Sequence, residues 1–215
     1  MLTAPIPADE QNRLETLNQF DIFNTQSDER FDRITRVVAA IFEVPIAMVN
    51  LIGDSTQVSK SCFGIPDIGE IERGTSFCGH TILSDQPLVI EDALLDERFA
   101  DNPNVIAGLK IRAYAGMPLH AVDGTRPGAL CMIDTKPRTF TAAQLSLLTD
   151  LSAWAEIELN SSQLRDALDA VDKSRSDLAT QLEETKRLNE LMIGRELKMV
   201  EMKQQIADLT AKLNQ

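Results

Sequence analysis

Hydrophobic and polar positions change rhythm several times along the chain, and each rhythm predicts an element. Leu14, Leu17 and Phe20 give Arg13–Phe23 a weak helical stripe. A stronger stripe follows in Phe31, Ile34, Val38, Ile41 and Phe42. It predicts a helix capped by Ser27, with Asp28 and Glu29 in the first turn, where the helix dipole favours them, and ended by Pro45. Ile46–Ile52 is nearly all apolar, as a central strand buried on both faces would be. Gly53-Asp54-Ser55 is a turn, and Gln57–Phe63 then alternates, with Val58 and Cys62 on one face and Lys60 between them. These two segments predict an antiparallel hairpin. After a polar loop over Gly64–Gly74 come a short helix at Cys78–Leu83 and a strand at Leu88–Glu91. Ile111–His120 alternates again, Ile111, Ala113, Ala115 and Met117 against Arg112, Tyr114 and Gly116. An Asp-Gly turn at Val122–Thr125 leads to a returning strand at Gly128–Ile133. Hairpin-paired strands with helices at the start and end predict the α+β class, built on an antiparallel sheet.

From Thr141 the rhythm becomes helical and stays so. Thr141 and Gln144 fit a capping box, and from there to Gln215 the sequence holds no proline and one glycine, Gly194. Leu164, Leu168, Val171, Arg175, Leu178 and Leu182 recur at alternating four- and three-residue steps. Leu188, Met192, Arg195, Met199, Met202, Ile206, Leu209 and Leu213 do the same. Each run is a heptad seam, and the two are out of phase by three residues near Thr185–Leu188, a stammer that overwinds a coiled coil locally. At roughly 1.5 Å per residue such a helix outruns any domain built from the first part of the chain. The expected partner is a second copy, as a parallel homodimer through residues 160–215.

Composition narrows the classes. A hydrophobic content of 43% supports a packed core. A net charge of -12 argues against nucleic acid and anionic membrane surfaces as partners. No apolar run approaches a membrane span and no secretory signal pattern opens the chain, so a cytoplasmic location is expected. The three cysteines, Cys62, Cys78 and Cys131, are scattered in apolar settings, which suits reduced, buried thiols rather than a disulfide framework.

Candidate chemistry concentrates in Thr75–Pro103, a helix start, a short strand and a charged loop carrying Phe99. Cys78 near a helix start has the setting of a nucleophilic thiol. Cys78 and His80, however, are two residues apart and do not face each other on a helix, so catalysis is the minor reading. The two histidines and three cysteines show no metal-ligand spacing, and no metal or other cofactor is expected. Glu91, Asp92, Asp96, Arg98, Asp101 and Arg112 are candidate ligand anchors. The competing structural reading pairs Arg98 with a neighbouring carboxylate and makes Asp92 and Asn102 turn caps. Trp154 is expected to be a packing anchor.

Five blocks, Phe77–Ile82, Val89–Ala93, Asp96–Pro103, Tyr114–Leu119 and Gly128–Asp134, resemble the bacterial GAF sensory domain in that order. Separately, Leu188–Met199 resembles the linker that joins such sensors to histidine-kinase or diguanylate-cyclase outputs. The resemblance implies about six antiparallel strands with flanking helices, and a ligand pocket between the sheet and a lid formed by Thr75–Gly108. It divides the chain into a tail over 1–12, a GAF domain over 13–159 and a coiled-coil signalling helix over 160–215. Phe77, Cys78, His80, Thr81, Asp92, Arg98, Phe99, Arg112 and Tyr114 are the candidate ligand-binding residues. The Asn-Lys-x-Asp-Glu type motif of the cyclic-nucleotide branch and the bilin-pocket signature of the photoreceptor branch are not found. No kinase or cyclase motif follows, so the chain reads as a sensor or adaptor of a two-component type system and not as an enzyme. The alternative is a thiol enzyme resembling free methionine sulfoxide reductase, from whose cysteine spacing this chain departs.

Overall fold

The computed structural model describes residues 1–20, 28–66 and 68–213; in the last helix the side chains of 162–163, 165–167 and 207–213 fall outside the description. Met1–Leu164 form one compact unit and Arg165–Gln215 a second. In chain order the elements are α1 (Glu10–Gln19), α2 (Glu29–Phe42), β1 (Ile46–Ile52), β2 (Thr56–Phe63), β3 (Ile71–Glu72), α3 (Phe77–Thr81), β4 (Leu88–Ile90), α4 (Pro103–Ile106), β5 (Ala113–Leu119), β6 (Gly128–Asp134) and α5 (Ala142–Leu213). The strands form one antiparallel sheet in the order β3-β2-β1-β6-β5-β4.

Both faces of the sheet are covered, which explains the continuous apolar runs of its central strands. Ala47, Val49 and Leu51 of β1, Ala115, Met117 and Leu119 of β5 and Leu130 and Met132 of β6 pack with α2 and the first turns of α5. The residues between them, Ile46, Met48, Tyr114, Ala129, Cys131 and Ile133, face a lid made of α3, α4 and their loops. Strand register keeps the sets apart: Met48 lies opposite Cys131, and Val49 opposite Leu130. Trp154 packs partly buried against the helix-side cluster, as expected of an anchor.

Several elements differ from expectation. Ser27 and Phe23 lie outside the described residues, and the α2 cap is Asp28, whose side chain accepts the Arg30 amide at 3.0 Å. That helix ends at Phe42 because Glu43 turns left-handed, two residues before Pro45. Ile41, at the margin of the apolar stripe, is exposed. The β1–β2 register slips between Val49 and Asn50, pairing them with Ser61 and Ser59 and leaving Lys60 in a bulge. Val58, opposite Leu51, therefore lies on the helix side and Cys62, opposite Met48, on the lid side, so the two do not share the face that alternation implied. Lys60 is fully buried, and burial lowers its pKa. Ile111 packs with the lid and not with Ala113 and Met117, because β5 starts only at Ala113. The two-residue β3 and the single-turn α4 are too short to show a period.

At the other end of β5, Gly124 takes a positive φ of 82° in the Asp-Gly turn. The α5 start is the capping box: the Thr141 amide donates to Gln144 Oε1 at 3.0 Å, and the Gln144 amide to Thr141 Oγ1 at 3.2 Å. In the second unit the seam residues Leu168, Val171, Leu178, Leu182, Leu188, Met192, Met199, Met202 and Ile206 are all exposed in the single chain. Among the described residues no helix is long and apolar enough to cross a membrane.

Candidate functional site

The lid face carries a larger polar group than the opposite face, where Ser61 of β2 meets Thr35 of α2 at 2.7 Å. Ser76 caps α3 by accepting the Gly79 amide at 3.0 Å and is itself held by Gln57 of β2. That cap places Phe77, Cys78 and Thr81 over the sheet. Thr81 Oγ1 lies 2.6 Å from Tyr114 Oη and 3.2 Å from the Phe77 carbonyl, and Tyr114 Oη lies 3.3 Å from Cys78 Sγ. Cys78 Sγ is 3.7 Å from Cys131 Sγ. Asn50 completes the group: its Nδ2 donates to Cys78 Sγ at 3.3 Å and faces Cys131 Sγ at 3.6 Å, while its Oδ1 accepts Ser59 Oγ at 2.6 Å.

One proton per hydroxyl makes this chain reversible. With Cys78 neutral, its S–H donates to Tyr114, Tyr114 to Thr81, and Thr81 to the Phe77 carbonyl. With Cys78 ionised, Thr81 donates to Tyr114 and Tyr114 to the sulfur. The hydrogen bond from Cys131 lowers the Cys78 pKa against the opposing effect of burial, with further help from Tyr114 and Asn50. The same contact with Cys78, and then burial, raises Cys131. Burial and the adjacent thiols push Tyr114 well above its usual value.

Phe77, Cys78, Tyr114, Asn50 and Cys131 border a cavity of about 30 Å³ between the sheet and the lid. Roughly 10–15 Å³ holds one water, so this space takes two water-sized centres and no larger ligand as it stands. Phe99 stacks on Phe77 with ring centroids 4.1 Å apart and backs the cavity wall. Gly116 makes room for the tyrosine: a Cβ there would come within 2.2 Å of Tyr114 Oη.

The remaining sequence candidates lie away from the cavity. His80 sits edge-on to Phe99 at 4.9 Å, and its Nε2 lies 3.1 Å from the Leu2 carbonyl; burial lowers its pKa. Arg98 pairs with Asp96 at 2.7 Å, and Arg112 with Asp92 at 2.7 Å. Both carboxylates are held below their usual range by those arginines. Asp92 also accepts the Leu94 amide, and Asn102 caps α4. Asp101 pairs with the chain's amino terminus. Glu91, Asp92 and Asp96 border an open depression of about 680 Å³ along β4. Arg112 and Tyr114 do not share a strand face as alternation implied, since Arg112 precedes β5 and Tyr114 is fully buried. Among the described residues no group of His, Cys, Asp and Glu is placed to hold a metal ion.

Sequence reasoning missed Asn50 and the meeting of Cys78 with Cys131. Asn50 carried a signal, as the one polar residue in the Ile46–Ile52 run. The cysteine contact spans 53 residues and carried none.

The GAF domain family model matches residues 26–159. The chain belongs to the GAF domain family. Its GAF domain is 37% identical over 138 residues to a cyclic di-GMP phosphodiesterase of Pseudomonas aeruginosa, an alignment covering 64% of this chain and 23% of that protein. The chain thus spans about a quarter of that relative's length. This overturns the expectation that the chain reads as no enzyme: the relative is named as one, and its catalytic name attaches to a protein in which the GAF domain is a minor part. Missing catalytic motifs within a GAF span therefore do not bear on the activity of a protein that contains it. Among solved structures, the fold is similar to the blue-light absorbing form of the PixJ GAF domain of Thermosynechococcus elongatus, with TM-score 0.55, 12% identity and coverage of 78% of this chain and 96% of that one. It is also similar to free methionine-R-sulfoxide reductase of Neisseria meningitidis, with TM-score 0.53, 16% identity and coverage of 77% and 99%. At these identities the likeness is one of fold, and that fold serves both a light receptor and a reductase.

Proposed function

We propose that this GAF domain is a sensory module, which reads the occupancy or packing of the lid-face cavity and passes the change to α5. The observation that carries the reading is the placement of β5. Its Tyr114 lies in the lid network, while its Met117 lies 3.9 Å from Thr149 Oγ1 of α5. Directly after the strand, the His120 amide donates to Glu156 of α5 at 2.9 Å. A displacement of Tyr114 therefore acts on a strand that touches the helix within a few residues.

In this reading residues 160–215 pair in a parallel homodimer. The exposed Leu, Val, Ile and Met seam supports it, since each Å² of apolar surface removed from water contributes roughly 25 cal/mol. Arg175 and Arg195 in the seam, and the phase change near Thr185, leave a weak segment whose register a signal can bias if it favours one of two states. The output would be an enzymatic partner or domain, a cyclic di-GMP phosphodiesterase by likeness to the Pseudomonas aeruginosa relative, or a histidine kinase or diguanylate cyclase by the linker resemblance. Of the residues of the ligand-binding proposal, Phe77, Cys78 and Tyr114 line the cavity, while Thr81 and Phe99 back Tyr114 and Phe77; His80, Asp92, Arg98 and Arg112 would act from the lid's outer side.

Light scattering at micromolar protein tests the assembly, with a dimer expected and a monomer contradicting it. Arg195→Leu should stabilise the dimer and fix the output of a signalling protein carrying this module in one state. A normal response in that variant would remove the register switch and leave the dimer standing.

A further inference from the structure

The fold brings together two thiols that the sequence keeps far apart, at a cavity sized for a very small molecule. Cys78 and Cys131 are both free, both buried, and in contact at 3.7 Å. They sit on different elements, the lid helix α3 and the central strand β6. The third cysteine does not join them. Cys62 lies opposite Met48, and Met48 opposite Cys131, so Cys62 and Cys131 are two strands apart. Two strand spacings are roughly 10 Å, beyond the Cα separation of roughly 7 Å that a disulfide tolerates.

We propose that Cys78 and Cys131 form a peroxide-reactive dithiol pair, which converts reversibly to a disulfide between lid and sheet. The cavity of about 30 Å³ that both sulfurs border has room for two oxygen-sized centres, which matches hydrogen peroxide and excludes an amino acid or a nucleotide in this state.

The chemistry balances within the pair and the peroxide. The Cys78 sulfur attacks one peroxide oxygen; the S–O bond forms and the O–O bond breaks. The departing hydroxide takes the Cys78 thiol proton and leaves as water. Cys131 sulfur then attacks Cys78 sulfur; the S–S bond forms, the S–O bond breaks, and the hydroxyl leaves as a second water with the Cys131 proton. Each sulfur gives up one electron, and the two peroxide oxygens gain two. A thiol reductant reverses the reaction by exchange.

The surroundings suit Cys78 to the first step. The Asn50 amide and the Tyr114 hydroxyl converge on its sulfur, and the hydroxyl chain through Thr81 reverses as that sulfur loses its proton. Forming the bond draws the two sulfurs from contact to roughly 2 Å, and the movement falls on α3 and on Tyr114 beside it. An oxidant would thereby act on the same lid that the ligand proposal invokes, but the thiol reaction itself needs no ligand.

The test uses the full chain, reduced and freed of reductant. It is exposed to hydrogen peroxide, treated with catalase, unfolded in urea, alkylated, digested and mapped by mass. The expected result is a linked peptide joining Cys78 to Cys131, alkylated Cys62, and reversal by dithiothreitol. Cys131→Ser should stop at a Cys78 sulfenic acid that dimedone traps, and Cys78→Ser should abolish the link. Alkylation of both Cys78 and Cys131 after an exposure that oxidises Cys62 would overturn the proposal, and this readout needs no variant to fold. A link that still forms when no small ligand binds would separate this site from the ligand reading.

Discussion

On the α2 and α5 side of the sheet, Ala47, Val49, Leu51, Leu130 and Met132 meet Phe31, Ile34, Val38, Leu148 and Leu151 in an apolar cluster. On the lid side, β1, β5 and β6 present Asn50, Tyr114 and Cys131 to Ser59, Thr81 and Cys78, beside a cavity. Neighbouring residues of one strand thus serve two environments. Dry packing is intolerant of lost volume, whereas a hydrogen-bonded network beside a void is intolerant of a lost partner and tolerant of rearrangement. Stability is concentrated on the first face and adjustable chemistry on the second.

The sharpest way to break this contrast is to truncate the dry face. Phe31 is fully buried, and Phe31→Ala should cost about 3–5 kcal/mol in urea unfolding. The folded fraction should keep its Cys78 reactivity. A loss below about 1 kcal/mol would mean that the helix side is not the stability core. Tyr114→Phe does the converse. It removes one hydroxyl that faces Thr81 and Cys78, so it should cost about 1–2 kcal/mol and change the rate at which Cys78 reacts with peroxide. A stable protein with unchanged thiol reactivity would show that the network is only packing.

The smallest expected effect is that of pH, where the β5–β6 hairpin meets α5. His120 Nδ1 lies 2.7 Å from Glu156 Oε1, and Nε2 3.2 Å from Asp85 Oδ1. Burial lowers the His120 pKa, but the hydrogen bonds and charges of Glu156 and Asp85 outweigh it, and the net direction is up. The stabilising contribution is therefore complete below the ordinary imidazole value and is lost as pH rises through the raised one. An NMR titration of the ring should show the raised midpoint, and Glu156→Gln should bring it down. A midpoint at the ordinary value in the unaltered chain would remove this contact as a pH-sensitive link.

The sequence made the dry face legible and the lid face much less so, for a physical reason. Helical stripes such as Phe31, Ile34, Val38 and Phe42 are local patterns, and burial of both sheet faces shows as the unbroken run Ile46–Ile52. The capping box at Thr141 is local too. Val58 and Cys62 fall on opposite faces because a bulge breaks a period of two, and β3 and α4 escape notice because they have no period. The cysteine contact depends on how α3 settles over β6, which no spacing encodes. The residues that drew notice for their charge, Arg98 and Arg112, pair with Asp96 and Asp92, as polar residues of an ordered surface loop commonly do.

If the two faces are coupled through β5, hydrogen–deuterium exchange on Gly116→Ala will register it on both. The added Cβ would lie 2.2 Å from Tyr114 Oη and 2.6 Å from its Cζ, so the ring must leave its place beside Thr81 and Cys78. The expected result is faster exchange in α3 and also in the segment of α5 around Thr149 and Glu156, across the sheet from the altered residue. Faster exchange confined to the lid, with α5 unchanged, would contradict it.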